Sequence, residues 1–425
     1  MTRQTSPVAP ALAGAPAAVA VAVAAEPAGA PIGFVEFVAL VAALMSLAAL
    51  GIDSMLPALP AIGAALGVAT ENQRQFIVTA FVLGFGIAQL AHGPLADRFG
   101  RRTVLLWAIG GYVIANIACA VSASFVLLLA ARVFGGAMVA ATRVATVAMV
   151  RDCYHGRPMA RVMSIAFMVF MVVPVLAPSV GQVVLLFGDW RTIFWVIAGT
   201  AAMLWGWIAL RLPETLTPEA ASPISPRQIA AGWRVVLGDR AAVGYTLAAT
   251  ALMGGLYGYL NSVQQIMFDT FRHPQLLAAV FAGTAATMAA ANLFNARIVM
   301  RVGTRRIAHA AVIGLIVLAG VHLLLAEAGL DSLLAFAVMQ ALTMACFGLA
   351  SSNFSAMAME NMGGVAGIAS SAQGFAGITV GVLVGIVIGQ AFDGTTVPMI
   401  AGFLVVGLLA LAAIAWTERG RLFVA

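Results

Sequence analysis

The sequence is dominated by apolar runs that are long enough to cross a lipid bilayer. A bilayer core of about 30 Å requires about 20 apolar residues in a helix, and twelve such runs are present. They lie near residues 35–57, 75–94, 103–122, 125–150, 162–186, 191–211, 241–265, 276–299, 307–326, 332–355, 364–391 and 396–416. Because 62% of the residues are hydrophobic and only 9% are charged, the chain lacks the polar surface of a soluble globule. The sequence therefore predicts an all-α, multi-pass membrane protein with twelve spans.

The basic residues predict the orientation of these spans. All 22 of them are arginines. If the N-terminus faces the cytoplasm, 17 fall in cytoplasmic segments, three fall outside at Arg74, Arg191 and Arg272, and two lie within spans. Cytoplasmic segments of membrane proteins carry such an excess. The net charge of +6 thus indicates topology and not a nucleic-acid partner, and we expect the chain in the inner membrane of the cell with both termini cytoplasmic.

Polar interruptions predict how the spans are grouped. Residues 1–33 are rich in Ala, Pro and Gly and are expected to form a disordered cytoplasmic tail. The longest interruption, the linker at 212–240, separates six spans at 34–211 from six at 241–417, and residues 418–425 form a second short tail. Three scattered cysteines indicate neither a disulfide framework nor a metal site. We expect two pseudo-symmetric six-helix bundles with a substrate site between them.

The most informative motif is the segment between the second and third spans, which reads GPLADRFGRRTVL from Gly93 to Leu105. We expect one helix to end at Gly93 and Pro94 and the next to begin at Thr103. The positive-inside rule explains the arginines but not the spacing of Gly and Asp. The segment resembles the G-x-L-a-D-r-x-G-r-[KR]-x-x-l signature of the major facilitator superfamily. The matching positions are Gly93, Leu95, Ala96, Asp97, Arg98, Gly100, Arg101, Arg102 and Leu105.

This resemblance implies a conformational gate at the cytoplasmic face. Its residues would be Gly93, Asp97, Arg98, Arg101 and Asp152. Asp97 would latch the outward-open state against the start of the eleventh span, and Asp152 could receive Arg101. A weaker copy of the motif, NARIVMRVGTRR at 295–306, lies at the corresponding point of the second half. It lacks the Asp and is expected to keep only a topological role.

Further motifs resemble the bicyclomycin-resistance type of drug/proton antiporter. GIDSMLPALP at 51–60 is similar to the first-span element of that subgroup, and 128–141 is similar to its fourth-span l-x-x-x-R-x-x-q-G motif, with Arg132 and Gly136 in place. A helix-bend motif in the fifth span is degraded but retains Pro174, Pro178 and Gly181. The resemblance implies proton-coupled antiport of drug-like compounds by a monomer, without a bound cofactor.

Asp53 and Arg132 are the first candidates for chemistry at membrane depth. A charged side chain there costs at least about 2.5 to 3.5 kcal/mol, so it indicates function. Each lies seven residues, or roughly 10 Å, from the outer end of its span. Equal depth allows them to meet across the cavity, and we expect Arg132 to modulate the proton on Asp53 through its charge. A static buried pair that joins two helices is the alternative.

Arg143 is a second cation in the fourth span. It follows Arg132 by eleven residues, which places it about 20° away around the helix and about 16 Å deeper. Two stacked arginines would suit a carboxylate or phosphate substrate. Asn261 and Gln264 of the second half could contact substrate or simply bridge helices, and Glu36 has the position of an interfacial residue. The predicted cavity residues are Asp53, Arg132, Arg143, Asn261 and Gln264.

Together these features favour a proton-driven antiporter that exports small amphipathic, drug-like compounds by alternating access. Two alternatives remain open: a proton-coupled importer of a small metabolite or organic anion, and a specific exporter of an amino acid or other metabolite. No nucleotide loop, zinc-ligand spacing or nucleophile elbow is present, so we do not expect an enzyme. The expected partners are a small-molecule substrate, protons and the lipid bilayer, and the proton gradient is expected to supply the energy.

Overall fold

The structure is a computed structural model that describes residues 30–154, 156–216 and 226–423. Most of the predicted N-terminal tail, the middle of the predicted linker and the last two residues lie outside these ranges. Within them, the regular structure consists of α-helices with short 3-10 and π-helical turns. We call the end at which the first helix begins the inner end of each bundle, and the opposite end the outer end.

Six long helical segments form the first bundle. They are α1 (Phe34–Asp53) continued by α2 (Leu59–Ala65), α3 (Phe76–Phe99), α4 (Arg101–Ala120), α5 (Phe125–Cys153), α6 (Gly156–Leu185) and α7 (Trp190–Arg211). Helix α5 packs against α3 and α4, while α1 packs mainly against α6. This arrangement places the middle of α5 beside the end of α1.

The second bundle follows a short helix in the linker, α8 (Pro226–Gly238). Its members are α9 (Arg240–Gln265), α10 (Leu277–Val302), α11 (Thr304–Glu327), α12 (Leu333–Ala358), α13 (Ala366–Phe375) continued by α14 (Gly381–Gln390), and α15 (Val397–Thr417). The two bundles meet through α3 with α13 and α14, and through α6 with α10.

Eleven helices of the described chain are long and apolar enough to cross a membrane. The remaining long helix, α9, has 26 residues but carries more polar side chains. It packs against α12, α14 and α15, which surround it with protein. A helix in this position can be less apolar than a lipid-facing one. The predicted all-α architecture of twelve long helices in two bundles is confirmed.

The helices continue past the apolar runs at the inner ends. We expected a break at Gly93 and Pro94 and a new helix from Thr103, and this was wrong. Helix α3 passes through Pro94 to Phe99, and α4 begins two residues later. A membrane helix tolerates an internal proline because neighbouring groups satisfy the freed carbonyl. The break falls instead at Gly100, whose φ of +92° favours glycine.

The corresponding turn of the second bundle has the same backbone. Gly303 precedes α11 with φ +91° and ψ 149°, and Gly100 precedes α4 with φ +92° and ψ 150°. Three residues before each glycine stand Asp97 in the first bundle and Met300 in the second. Met300 is 89% exposed. The weak sequence repeat is therefore a repeat of structure, in which the second copy has lost the acid.

Three glycines of the eleventh span pack against α9 of the same chain. They form the pattern G-x-x-x-G-x-x-x-G, and each faces one residue of α9. The pairs are Gly381 with Met253, Gly385 with Tyr257, and Gly389 with Asn261. A Cβ added at Gly381 or Gly389 would lie 2.9 Å from the facing Cβ atom. Since small residues allow such close approach, the pattern is used for packing within one molecule.

Gly136 sets the distance between α5 and α3. A Cβ at this position would overlap the carbonyl oxygen of Phe81 on α3, whereas a Cβ at Gly199 on α7 would have no heavy atom within 4 Å. We expect Gly136→Val to destabilise the first bundle, because overpacking typically costs about 1 to 3 kcal/mol and here the neighbour is backbone.

Gly199→Val provides the matched control. The apparent melting temperature of the purified protein in detergent should fall for Gly136→Val and stay near the wild-type value for Gly199→Val. Equal melting temperatures for the two variants would show that the contact between α5 and α3 is not as close as the structure has it.

Candidate substrate and proton site

Asp53 is a buried carboxylate inside the first membrane-spanning segment, Phe34–Ala65. It is the last residue of α1, and its residue exposure is 5%. The helix is interrupted there, because a turn and Pro57 separate α1 from α2. Every other carboxylate of the described residues lies within two residues of the end of a span or outside the spans. Asp53 is thus distinguished by its depth.

Arg132 on α5 is buried and satisfies two backbone carbonyls. Its Nε donates to the oxygen of Ile77 and its Nη2 to the oxygen of Gly51, each at 3.1 Å. Its guanidinium carbon lies 4.2 Å from the ring centroid of Phe81. The last carbonyls of a helix lack partners within that helix, and the Gly51 carbonyl belongs to the final turn of α1. Arg132 therefore caps α1 where it ends within the membrane.

The expected ion pair between Asp53 and Arg132 is not formed. Among the described residues, no nitrogen of Arg132 lies within 4 Å of the Asp53 carboxylate. The two residues are connected through the backbone instead, since Gly51 precedes Asp53 by two positions. A planar guanidinium offers several donors at fixed angles, and the two carbonyls use those donors. Arg132 positions the segment that carries Asp53.

Two tyrosines of the second bundle lie opposite Asp53. The hydroxyls of Tyr257 and Tyr259 on α9 lie within electrostatic range of its carboxylate. The Tyr259 hydroxyl also shares a hydrogen bond of 2.9 Å with the hydroxyl of Thr284. Sequence reasoning missed both tyrosines, because an aromatic residue in an apolar helix is usually a packing residue. Their position across from Asp53 becomes visible only in three dimensions.

Arg143 has surroundings unlike those of Arg132. Arg143 is exposed, and it lies within electrostatic range of the Tyr257 hydroxyl on the opposite bundle. Arg143 therefore faces the space between the bundles, while Arg132 is enclosed by α1 and α3. The two arginines of α5 therefore do not form a joint anion site.

Asn261 and Gln264 are both buried on α9, near its outer end. The amide oxygen of Asn261 accepts a long hydrogen bond of 3.5 Å from Thr79 on α3. The amide nitrogens of Asn261 and Gln264 have no partner among the described residues. A buried unpaired donor costs about 1 to 3 kcal/mol. Asn261 thus contacts the opposite bundle, and the side-chain amides of Asn261 and Gln264 each keep an N–H donor that is not hydrogen-bonded within the described residues.

Amide side chains close the outer side between the bundles. Gln75 donates to the carbonyl oxygen of Gly389 at 2.9 Å and to the side chain of Gln265. Asn72 donates to the carbonyl oxygen of Gln390 at 3.1 Å, and Gln390 donates back to that of Asn72 at 2.8 Å. We call this cluster of Asn72, Gln75, Gln265 and Gln390 the outer amide network. None of its side chains is charged. Sequence reasoning missed this network, although the polar stretch ENQRQ at 71–75, which contains Asn72 and Gln75, could have indicated it.

Two carboxyl groups meet beside the outer amide network. Glu71 precedes α3, and Asp269 lies in a π-helical turn after α9. Partial burial, reinforced by the neighbouring Glu71 carboxylate, raises the pKa of Asp269, while Arg74 opposes this effect. Because this pKa is raised, the closed arrangement that places Asp269 beside Glu71 favours the protonated form of Asp269. The closed outer side is therefore stabilised as the pH falls through this pKa and weakened as the pH rises through it.

The predicted gate residues form a cluster at the inner end of the first bundle. The Arg101 guanidinium lies between two carboxylates, 2.6 Å from Asp97 and 2.9 Å from Asp152. Arg98 is exposed and stacks on Phe99, while a Cβ at Gly93 would meet only Val144, at 3.7 Å. The cluster links α3, α4 and α5. In the part of the chain that the structure describes, none of its hydrogen bonds or ion pairs reaches the second bundle.

Glu214 and Glu36 complete the polar contacts at this inner end. Glu214 accepts from the backbone N–H of Arg101 at 2.7 Å and of Arg102 at 3.1 Å, so an anion caps the N-terminus of α4. Glu36 accepts two hydrogen bonds of 2.9 Å from Arg211. Glu36 thereby joins the start of α1 to the end of α7, as an interfacial residue would.

One residue of the degraded helix-bend motif in the fifth span, Gly181, lies beside the turn that follows Asp53. Pro174 and Pro178 are inside α6 and do not end it. A Cβ at Gly181 would overlap the carbonyl oxygen of Ser54. Helix α6 therefore contacts the interruption of the first span directly. The structure brings Asp53, Gly181 and the carbonyl bound by Arg132 to one place.

Comparison with known proteins identifies the family. Residues 40–385 match the family model described as Major Facilitator Superfamily. The chain belongs to the major facilitator superfamily. It is 31% identical over 360 residues to the uncharacterized MFS-type transporter YdgK of Bacillus subtilis (strain 168), covering 84% of this chain and 89% of that protein. It is 30% identical over 370 residues to a bicyclomycin resistance protein homolog of Haemophilus influenzae, covering 86% and 91%.

Solved structures share the fold of this superfamily member. The human organic anion transporter MFSD10 (TETRAN) superimposes with a TM-score of 0.66 at 20% identity, over 91% of this chain and all of that one. A bacterial homolog of the human lysosomal transporter Spinster, in an inward-facing and unoccupied conformation, gives 0.67 at 13% identity over 92% and 96%. These likenesses concern the fold alone. The superfamily consists of membrane transporters of small molecules, and the family assignment makes the chain a membrane transporter.

The contacts of Arg132 predict that its shape matters more than its charge. In Arg132→Lys, one ammonium cannot reproduce two donors aimed at the carbonyls of Ile77 and Gly51. A buried group left without its partner costs about 1 to 3 kcal/mol, so the apparent melting temperature in detergent should fall. Arg151→Lys, at the exposed end of the same helix, should leave it unchanged. A wild-type melting temperature for Arg132→Lys would contradict the capping role.

Proposed function

We propose that this superfamily member exports small amphipathic, drug-like compounds across the inner membrane in exchange for protons. It would work by alternating access and as a monomer, with both termini in the cytoplasm. The observation that carries the proposal is Asp53, a carboxylate buried at membrane depth with no ion-pair partner among the described residues. The similarity to a bicyclomycin resistance protein homolog supports the choice of cargo.

Asp53 has the properties that a proton-coupling residue requires. A carboxylate enclosed in an apolar surrounding is costly unless it is neutral, paired or solvated. The protonated form can therefore be carried through a closed state more easily than the ionised form. In an export cycle, Asp53 would release its proton to the cytoplasm when cargo binds and take up another from outside after the cargo has left.

The interruption of the first span supports the same assignment. Asp53 ends α1, Arg132 holds the Gly51 carbonyl, and Gly181 of α6 packs on Ser54. A change in the charge of Asp53 would act on a helix end that two neighbouring helices, α5 and α6, contact directly. Such an end can respond to protonation by a small shift, and α6, which contacts the second bundle through α10, would transmit it.

The distribution of contacts supports a cycle between two states. The outer amide network joins the bundles, while the inner cluster around Arg101 stays within one bundle. We propose that this arrangement is the inward-open state. In the outward-open state the amide contacts would break, and Asp97 would gain a contact with the start of the eleventh span. The packing of the glycine pattern against α9 supports the monomer, since it leaves those glycines no room for a second chain.

The first functional prediction concerns the proton. Asp53→Asn keeps the size and hydrogen-bonding ability of the side chain but cannot ionise at physiological pH. We therefore expect it to abolish export driven by a pH gradient in proteoliposomes while the protein folds normally. Asp393→Asn, the same change at an exposed outer position, is the control and should transport like the wild type. Gradient-driven export by Asp53→Asn at the wild-type rate would exclude Asp53 as the coupling residue.

The second functional prediction concerns the gate. Asp97 lies at the inner end, far from Asp53, so Asp97→Ala should lower turnover but largely preserve the equilibrium affinity for cargo. A half-exposed ion pair is worth about 1 kcal/mol at most, which corresponds to roughly a fivefold change in rate. Met300→Ala, at the corresponding position of the second bundle, should have no effect. A loss of affinity equal to the loss of turnover would contradict a role for Asp97 in gating.

A further inference from the structure

Arg143 is an uncompensated cation at membrane depth. It lies four residues, or about 6 Å, from the centre of the 29-residue helix α5. Its side chain is exposed, and among the described residues no carboxylate lies within 4 Å of its guanidinium. A cation at such depth costs at least about 2.5 to 3.5 kcal/mol on insertion scales. A cation that only supports the fold would be expected to have a partner.

The other deep arginine shows how this chain satisfies a structural guanidinium. Arg132 has two carbonyl acceptors and the face of Phe81, and it is 1% exposed. Arg143 is on the same side of the same helix but has none of these contacts. Among the described residues, the titratable group within electrostatic range of Arg143 is the Tyr257 hydroxyl on the opposite bundle. The contrast separates a structural arginine from one that is available to a ligand.

The neighbouring groups fit a ligand with an anionic end and an apolar body. Tyr257 offers a hydroxyl donor close to Arg143, and its ring adds apolar surface. Arg143 provides a planar fork that matches the oxygens of a carboxylate. The nearest ionisable side chain of the same helix face is Arg132, which is already occupied. A negatively charged group is the chemistry that Arg143 and Tyr257 together recognise.

We propose that Arg143 binds an anionic oxygen group, such as a carboxylate, on the transported compound, with Tyr257 as a second donor. The preferred cargo of this superfamily member would then be an amphipathic organic anion. This inference rests on the proposed function only in so far as a small molecule binds between the bundles. It agrees with export, because an inside-negative membrane potential favours the outward movement of an anion by about 2.3 kcal/mol per charge per 100 mV.

A matched series of ligands tests the proposal without any gradient. For each of several aromatic skeletons, the arylacetate, the neutral arylacetamide and the arylethylammonium are titrated into purified protein at constant pH and ionic strength. We expect the wild type to bind the carboxylate about tenfold or more tightly than the amide, the range of one charged hydrogen-bonded contact. Absence of this preference on every skeleton, including absence of binding, would overturn the proposal.

Three variants assign the preference to the residue. Arg143→Gln should reduce the ratio of carboxylate to amide affinity to about one, and Arg143→Lys should retain part of it because the charge remains. Arg151→Gln, at the exposed inner end of the same helix, should keep the wild-type ratio. Melting temperatures and gel-filtration profiles establish that each variant is folded. A full preference in folded Arg143→Gln would show that another group binds the anion.

The outcomes for this inference and for the proposed function are separable. Asp53→Asn should lose gradient-driven transport and still prefer the carboxylate. If Asp53→Asn transported normally while the wild type preferred the carboxylate, the proton-coupling proposal alone would fail. If the wild type exchanged protons for cargo but bound carboxylate and amide equally, the role of Arg143 alone would fail.

Discussion

The hydrogen bonds from Arg132 to the carbonyls of Gly51 and Ile77 are the interaction on which the site depends. The first span is interrupted at Asp53, and each backbone group left unpaired in lipid costs several kcal/mol. Arg132 supplies a donor for a carbonyl of that interrupted turn, so α1 can end at depth. It reaches the carbonyl because Gly136, one helical turn away, lets α5 approach α3. The position of Asp53 therefore follows from an arginine and a glycine of another helix.

The two ends of the molecule are held by different kinds of contact. Neutral amides join the bundles at the outer end, whereas charged groups at the inner end join helices of the first bundle to each other. The pair between Arg101 and Asp97 is half-exposed on the Asp97 side, so it is worth about 1 kcal/mol at most, which is the range of an ordinary hydrogen bond at about 0.5 to 1.5 kcal/mol. The two ends therefore differ in which helices their contacts join, and not in a large difference in the strength of each contact.

Hydropathy predicted the twelve helices because the apolar runs end where the bilayer ends. It misplaced the inner end of α3 because a helix can continue into water, and there Gly100 sets the boundary. The sequence could not reveal the partners of Arg132. A carboxylate such as Asp53 can be read from the sequence, whereas a backbone carbonyl that lacks a hydrogen bond can be found only in the structure, so sequence reasoning paired Arg132 with Asp53. Tyr257 and Tyr259 were missed for a related reason: only the packing of the two bundles brings them opposite Asp53.

If Arg143 binds an anion as proposed, it would connect the closure of the bundles with the binding of cargo. In this structure the outer amide network closes the half that contains Arg132, and Arg143 remains exposed between the bundles. Alternating access requires the inner half to close in turn, which would enclose Arg143. An enclosed guanidinium without a counter-charge would raise the energy of that state by at least about 2.5 to 3.5 kcal/mol. A bound anion would remove this penalty, so a carrier built in this way would close more readily when loaded than when empty.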